Sequence, residues 1–304
     1  MTIDQIRTFL TILTYGNITA AAEHMFITQS NVSKRISTLE DELGVKLFLR
    51  QKGHKNVELT SYGEAFIPIA SQWAALYQDT INLKKHEDIC ELTIASVDTV
   101  NNYTLVPFFH EFMEAHADIR LFIQTYHSNE IHSLVENRMA DVGFVYSQLE
   151  YPDIITVPIF RELMYLVCRP DSPYHDQMEN HLLDVSDEIH LTWFGEYENW
   201  YQKIWGVDKK PRIKVNTGSM LQHYFTNKNA WAIAPKSLVS TLMTSTNLVF
   251  YTLQDPPPPR ICYQLTHKYP RTSREKAIDE FTQELIPFII GSNDICRFEP
   301  SMLL

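Results

Sequence analysis

Residues 19–44 read TAAAEHMFITQSNVSKRISTLEDELG, and the N-terminal fold is decided here. Thr19 is the expected N-cap of a short helix over Ala20, Ala21, Ala22 and Glu23, because a threonine hydroxyl can accept a backbone N–H left free in a first helical turn. Phe26 and Ile27 interrupt the pattern. Thr28 then opens a second helix in which Val32, Ile36, Leu39 and Leu43 step by four, three and four, so they share one face. Gly44 supplies the C-terminal stop. Two short helices joined this tightly make a helix-turn-helix. The second helix turns Gln29, Ser30, Ser33, Lys34 and Ser37 away from its apolar face. Glutamine and asparagine can pair with adenine and lysine with guanine in a major groove, while hydroxyls suit phosphate oxygens.

Outward on the N-terminal side, Ile3, Ile6, Leu10 and Leu13 recur at three and four, which predicts an amphipathic helix over 3–15 ended by Gly16 and Asn17. On the C-terminal side, VKLFLRQKGHKNVELT at 45–60 places two strand-like pieces around a basic, turn-prone centre. That predicts a β-wing whose Arg50, Lys52 and Lys55 meet the DNA backbone or minor groove. Over 61–86, Phe66, Ile69, Ala70, Trp73, Leu76, Tyr77 and Ile81 form a long apolar stripe with Pro68 near its start. Such a stripe needs a cover, and pairing with a second copy is the simplest one.

From Glu91 the pattern changes to alternating strands and helices: ELTIAS, a helix from Thr99–Asn102 to Ala115, IRLFIQTY, a helix over 131–139, and ADVGFVY. This alternation predicts β-α-β units on a parallel sheet. LMYLVCR, EIHLTWF, PRIKV, WAIAP and ICYQLTHK read as further strands, Met220 to Phe225 as a helix and Arg274 to Ile290 as a last helix. The expected class is therefore α/β, with residues 1–60 a winged helix-turn-helix, 61–90 a linker helix and 91–304 a sensing domain.

The composition fits a soluble globular chain: 304 residues, 44% hydrophobic and 21% charged. Net charge is −11, unusual for a nucleic-acid binder, but the acid is unevenly placed. From Thr28 to Lys55 the count is six basic to three acidic residues, and screening over about 8–10 Å makes that local footprint the relevant one. Cys90, Cys168, Cys262 and Cys296 form no C-x-x-C pair, so neither a zinc site nor a disulfide framework is expected. The N-terminus lacks a secretory pattern and no apolar run is long enough for a membrane span, so the expected address is the cytoplasm, with no membrane partner. No nucleophile elbow, phosphate loop, dinucleotide fingerprint or zinc-protease motif occurs, and the histidines are scattered. No enzyme, metal or cofactor is expected.

The spacing from AAE at 21–23 to TQS-x-VS-x-x-I-x-x-LE at 28–40 and on to ELGV-x-LF-x-R at 42–50 resembles the LysR-type transcriptional regulators. The likeness is strongest from Ile6 to Gly63, and weaker over 91–290. It implies a sensor of the periplasmic-binding-protein type, with subdomain I over about 91–161 and 266–304 and subdomain II over about 162–265. It also implies a homodimer or homotetramer on double-stranded operator DNA, a small-molecule effector in the interdomain cleft and contact with RNA polymerase. The matched DNA-contact positions are Thr28, Gln29, Ser30, Asn31, Ser33, Lys34 and Arg50, with Arg35 beside them.

The sensor half departs from the family. NKNAWAIAP at 227–235 has Lys228 and Ala230 where glycines are usual, and Thr125, Tyr126 and His127 replace the usual Glu-Gly turn. A cleft forms where strand ends meet helix N-termini. Ser96, Asp98 and Thr99, then Thr125, Tyr126 and His127, are one expected wall; Thr192 and Thr217, with Trp193, Phe194, Gly218 and Ser219, are the other. Asp98 fits an N-cap equally well, and Trp193, Trp200, Trp205 and Trp231 fit a core. Two other readings stay open: a solute-binding protein that ignores DNA, and a DNA-bridging protein that senses nothing.

Overall fold

A computed structural model describes residues 1–49, 57–82, 89–193 and 195–299. They form two compact units, one of residues 1–88 and 137–139, the other of 89–136 and 140–304.

In the first unit α1 (Ile3–Tyr15) begins at a capping box made by Thr2 and Gln5 and ends at Gly16, whose φ is 73°. The cap of α2 (Ile18–His24) is Asn17, which accepts from Ala20 N at 2.7 Å. The expected cap at Thr19 is thus corrected: Asn17 lies one residue before the helix, where its side chain reaches the third N–H. The turn passes through Phe26, which holds φ 55° and is 95% exposed. α3 (Gln29–Leu43) starts at Thr28, whose side chain accepts from Asn31 N, and stops at Gly44 with φ 70°. β1 (Phe48–Leu49) and β2 (Glu58–Leu59) pair antiparallel as the base of the wing. Arg50, Lys52 and Lys55 lie outside the described residues.

Ile6, Phe9, Ile12, Val32, Leu39 and Leu47 form the core of this unit. α4 (Ser61–Asn82) contributes to it through Phe66 and Ala70, and Phe9 meets the Phe48 and Phe66 rings at 5.4 and 5.1 Å. The expected stripe therefore divides. Phe66 and Ala70 are buried, while Ile69 and Leu76 remain 54% and 52% exposed. Gly63 is required at its position because a Cβ there would stand 2.1 Å from the Leu47 carbonyl oxygen.

The second unit opens with β3 (Cys90–Ser96). A π-helical turn at Val100–Thr104 leads into α5 (Val106–Ala115), followed by β4 (Ile119–Thr125), α6 (Ser128–Glu136), β5 (Val142–Val145) and β6 (Ile154–Glu162). β7 (Met164–Cys168), β8 (Ile189–Leu191), α7 (Glu196–Trp205), β9 (Ile213–Val215), α8 (Gly218–Leu221), β10 (Trp231–Pro235), α9 (Lys236–Ser245) and β11 (Val249–Tyr251) follow. β12 (Arg260–His267), α10 (Thr272–Gly291) and β13 (Cys296–Arg297) complete the order. One sheet runs β13-β6-β12-β5-β3-β4, another β10-β7-β11, with β8-β9 joined to β10 by a bridge at Glu188–Trp231.

The parallel sheet expected from the sequence is corrected to a mixed one. β3 pairs parallel with β4 and β5, but β12 runs antiparallel between β5 and β6 because the chain returns from the second sheet in the opposite direction. The single helix expected from Thr99 is instead a π-turn and then α5, separated at Leu105 ahead of Pro107. Met220–Phe225 is not a helix either; α8 is one turn ending at Leu221. Each sheet has its own apolar core. Leu92, Ile94, Phe108, Phe112, Phe144 and Phe281 fill the first, and Leu166, Leu191, Val215, Trp231 and Leu238 belong to the second. Only the β6–β7 and β11–β12 connections pass between the sheets, so Glu162 and Arg260, paired in register, stand at the hinge.

Candidate nucleic-acid interface and effector cleft

The apolar positions Val32, Ile36 and Leu39 seat α3 on α1 and α2, which leaves the opposite face outward. Gln29, Ser30, Asn31, Ser33 and Lys34 are all exposed over the N-terminal turns of the helix, with Thr28 at its head. The Thr28 and Ser30 hydroxyls meet at 2.9 Å. The structure thus exposes six of the eight sequence-predicted DNA contacts at the N-terminal end of α3. Arg35 differs, since its guanidinium is turned to α1, 3.3 Å from Asp4 and 3.4 Å from the Thr8 hydroxyl. Arg50 is outside the described residues.

Sequence reasoning missed the residue that ties the wing to this helix. Glu40, 3% exposed on the inner face of α3, accepts from Leu47 N at 2.9 Å and Phe48 N at 3.3 Å, and pairs with Lys46 at 2.8 Å. Burial pushes its carboxyl up, but the Lys46 contact and the two N–H groups outweigh that and hold it below the usual carboxylate value. The signal was an acid at the helical step of the buried face, immediately after Leu39.

In the second unit the sequence-predicted cleft residues divide. Ser96 is buried at the end of β3. Asp98 accepts from Gly218 N at 3.0 Å and from Asn102 Nδ2 at 2.8 Å, so its carboxylate does cap a helical turn, the first of α8. This bond brings Asp98 against the Thr217–Ser219 segment expected on the other wall. Thr99, 4% exposed, accepts from Arg260 at 3.3 Å. Thr125 accepts from Asn101 Nδ2 at 3.0 Å, which links the ends of β3 and β4. Tyr126 is half-buried, whereas His127 is exposed and its backbone N–H donates to Glu130 at the start of α6. Thr192 is exposed, and Thr217 is half-buried beside Ser219 at 3.2 Å. Trp193 is buried with its indole N–H on Ile233 O, as expected of a core residue.

The hinge itself holds groups the sequence did not single out. Glu162 is 1% exposed and accepts from Ser237 N at 2.8 Å, capping α9, and from the Tyr146 hydroxyl at 3.2 Å. Burial raises its carboxyl above the usual value despite the positive charge of Arg260. The Arg260 guanidinium lies 3.4 Å from the Tyr146 ring centre and 4.3 Å from that of Trp193. Thr104 and Ser237 share a buried hydroxyl contact at 3.0 Å across the two sheets. Among the described residues no group of three or more His, Cys, Asp and Glu is placed to hold a metal ion.

Residues 3–64 match the family described as "Bacterial regulatory helix-turn-helix protein, lysR family", and residues 87–286 match its "LysR substrate binding domain". The chain belongs to the LysR family of transcriptional regulators. The HTH-type transcriptional regulator cbl of Escherichia coli (strain K12) is 31% identical over 164 residues, which is 52% of this chain and 51% of that protein. The chain thus spans about half the length of the curated relatives it first matches. In fold it is similar to full-length OxyR from Pseudomonas aeruginosa, with a TM-score of 0.71 at 19% identity, covering 99% of both chains. The full-length CbnR complexed with its target DNA is similar at a TM-score of 0.68 and 18% identity, covering 93% of this chain and 99% of that one. As a LysR-family chain it carries both parts, the helix-turn-helix and the substrate-binding domain. Among the described residues no helix is long and apolar enough to cross a membrane.

Proposed function

We propose that this chain is a sequence-specific regulator of transcription that reads operator DNA with α3 and answers to a small molecule held in the cleft of its second unit. The observation that carries the reading is the exposed group Gln29, Ser30, Asn31, Ser33 and Lys34 on a helix capped by Thr28. Side chains at the N-terminal end of such a helix reach base edges, while hydroxyls and lysine reach phosphates. Gln29, Asn31 and Lys34 act on bases; Thr28, Ser30, Ser33 and Arg50 act on the backbone. Arg35 serves chiefly to lock α3 on α1 through Asp4. CbnR in complex with its target DNA has the same fold, which supports the placement.

Residues 1–60 form the DNA-reading part, 61–90 the linker, and 91–304 the sensor. Ile69 and Leu76 on α4 leave apolar surface that a second copy covers, giving a homodimer or homotetramer with one reading helix per half-site. Asp98, Thr99, Tyr126 and Thr217 line the sensor cleft. Ligand binding there favours one arrangement of the two lobes, and so must bind that arrangement more tightly than the other. We read the protein as a cytoplasmic regulator that acts beside RNA polymerase and has no catalytic step of its own.

The test is binding of the purified protein to its own upstream DNA over a salt series. A Gln29→Ala, Lys34→Ala double variant should bind at least about ten-fold more weakly, with discrimination at one base position relaxed by about 1–3 kcal/mol. Unchanged binding by the double variant would remove α3 as the reading helix. A protein that binds metabolites and no DNA is instead a plain solute binder.

A further inference from the structure

The hinge of the second unit contains a cation whose hydrogen-bonding demand is only partly met among the described residues. Arg260 is the first residue of β12 and stands in register with Glu162, the last residue of β6. Those two strands are where the chain enters and leaves the second sheet. Glu162 is already committed to Ser237 N and the Tyr146 hydroxyl. Among the described residues the Arg260 side chain donates to the Thr99 hydroxyl and to no carboxylate. Its guanidinium faces are covered by Tyr146 and Trp193, so a further hydrogen-bond partner can meet it only along its edge. Nη1 on that edge is cut off from solvent and meets no partner among the described residues.

A guanidinium has five N–H donors in a planar fork, and a buried donor left unmatched is costly. Two further buried polar atoms, close in sequence to residues of the site, share the condition. Ser147 Oγ follows directly on the Tyr146 that the guanidinium stacks against, and Asn101 Oδ1 lies two residues from the Thr99 that it bonds. Asn101 is 8% exposed, and its Nδ2 is held by Gln124 O and Thr125 Oγ1, so its oxygen is fixed in place. The Arg260 fork is thus a strong donor left unmatched at the hinge among the described residues.

We propose that this cleft takes a small organic monocarboxylate, its carboxylate held on the Arg260 edge beside the Thr99 hydroxyl. The proposal rests on the effector reading above and gives the effector a chemical class. The planar fork matches a carboxylate bidentately. A dianion such as sulfate or hydrogen phosphate is disfavoured because Glu162 already stands in register with Arg260, and a tetrahedral anion matches the planar fork less well than a carboxylate. The molecule is small, because Asp98 already reaches Gly218 N and a Cβ on Gly218 would stand 2.8 Å from the Tyr103 ring. Because Thr99 and Tyr146 belong to one lobe and Trp193 to the other, a carboxylate on Arg260 sits where lobe movement is sensed.

The test titrates the full-length protein with a panel of short monocarboxylates, the primary amides of the same acids, sodium sulfate and sodium phosphate. Intrinsic tryptophan fluorescence and melting temperature are the readouts. At least one carboxylate should bind saturably while its amide does not. Arg260→Gln should weaken that binding at least about ten-fold, a loss of one good charge-assisted contact. Arg260→Lys keeps the charge and loses the fork, so it serves if the glutamine variant fails to fold, and it should also weaken binding. Equal binding of acid and amide, unchanged binding in both Arg260 variants, preference for sulfate or phosphate, or a panel with no binding monocarboxylate each overturns the proposal. Operator binding by the same preparations is measured in parallel. If DNA binding is selective and a neutral metabolite alters it, the regulator reading stands and the carboxylate assignment falls.

Discussion

Replacing Glu40 by alanine tests whether the wing is held by one buried carboxylate. The substitution strips the Leu47 and Phe48 N–H groups of their acceptor at 2.9 and 3.3 Å, in a site where Glu40 itself is 3% exposed. Each buried donor left unpaired costs about 1–3 kcal/mol, so the pair comes to about 2–6 kcal/mol, of which roughly 3 kcal/mol is a conservative working figure. Lys46 is 54% exposed, and its ion pair adds only about 0–1 kcal/mol. Hydrogen exchange read by mass spectrometry on the peptide spanning Leu47 and Phe48 is the assay. Roughly 3 kcal/mol less protection is an exchange rate on the order of a hundred-fold faster. Glu40→Gln keeps an acceptor and should show about a tenth of that effect. If exchange in the alanine variant stays within about three-fold of the parent, the carboxylate does not hold the wing and the argument fails. The pH dependence has a definite sign. Glu40 is lowered in the folded state, so its stabilisation is complete above its ordinary value of 4.5 and disappears as pH falls through the lower folded value.

Further outcomes follow from individual positions. Glu162 is raised by burial, so its contribution has the opposite sign: stability of the second unit declines as pH rises from 4.5 through the folded value, and urea midpoints of Glu162→Gln should lack that decline. Gly63→Ala forces a Cβ to within 2.1 Å of Leu47 O and should cost about 3 kcal/mol or more, read as an early urea transition by Trp73 fluorescence. Phe26→Gly relieves a left-handed residue that is 95% exposed; it should stabilise the first unit by about 1 kcal/mol, visible as a higher melting temperature. A lower melting temperature for that variant would show that Phe26 packs against something in solution.

The first unit was legible because its signals are local. Helix faces, caps and the two left-handed glycines lie within a few residues of one another, and the reading residues of α3 are simply what its apolar face leaves over. Asn17 displaced Thr19 as a cap because capping depends on where the first turn starts, and both residues are competent. In the second unit β6 went unread. Pro158 stands inside IITVPIFRE, and a proline without an N–H argues against a strand interior. The sheet accommodates it with a register shift between Cys262 and Tyr263, where Ile159 is left over between paired neighbours. α9 was hidden by its serines and threonines, although Leu238, Val239 and Leu242 form its buried face. Arg260 and Glu162 could not be paired from the sequence, since 98 positions separate them and only the return of β12 beside β6 brings them together. Asp98 was read as either a cap or a cleft residue; its carboxylate accepts from Gly218 N at the first turn of α8, a partner 120 positions away that no local pattern announces.

The distribution of thiols makes the unaltered protein a practical object for spectroscopy. Cys168 and Cys262 are buried, and burial raises both thiols above their ordinary range, so neither presents thiolate to a reagent. Cys90 is half-buried with its sulfur against Ser273 O and Arg274. Cys296 alone is exposed, on β13 at the border of the larger sheet and two strands from Arg260. A maleimide dye or spin label added briefly near neutral pH should therefore enter at a single known place, giving a beacon close to the hinge without any engineered cysteine.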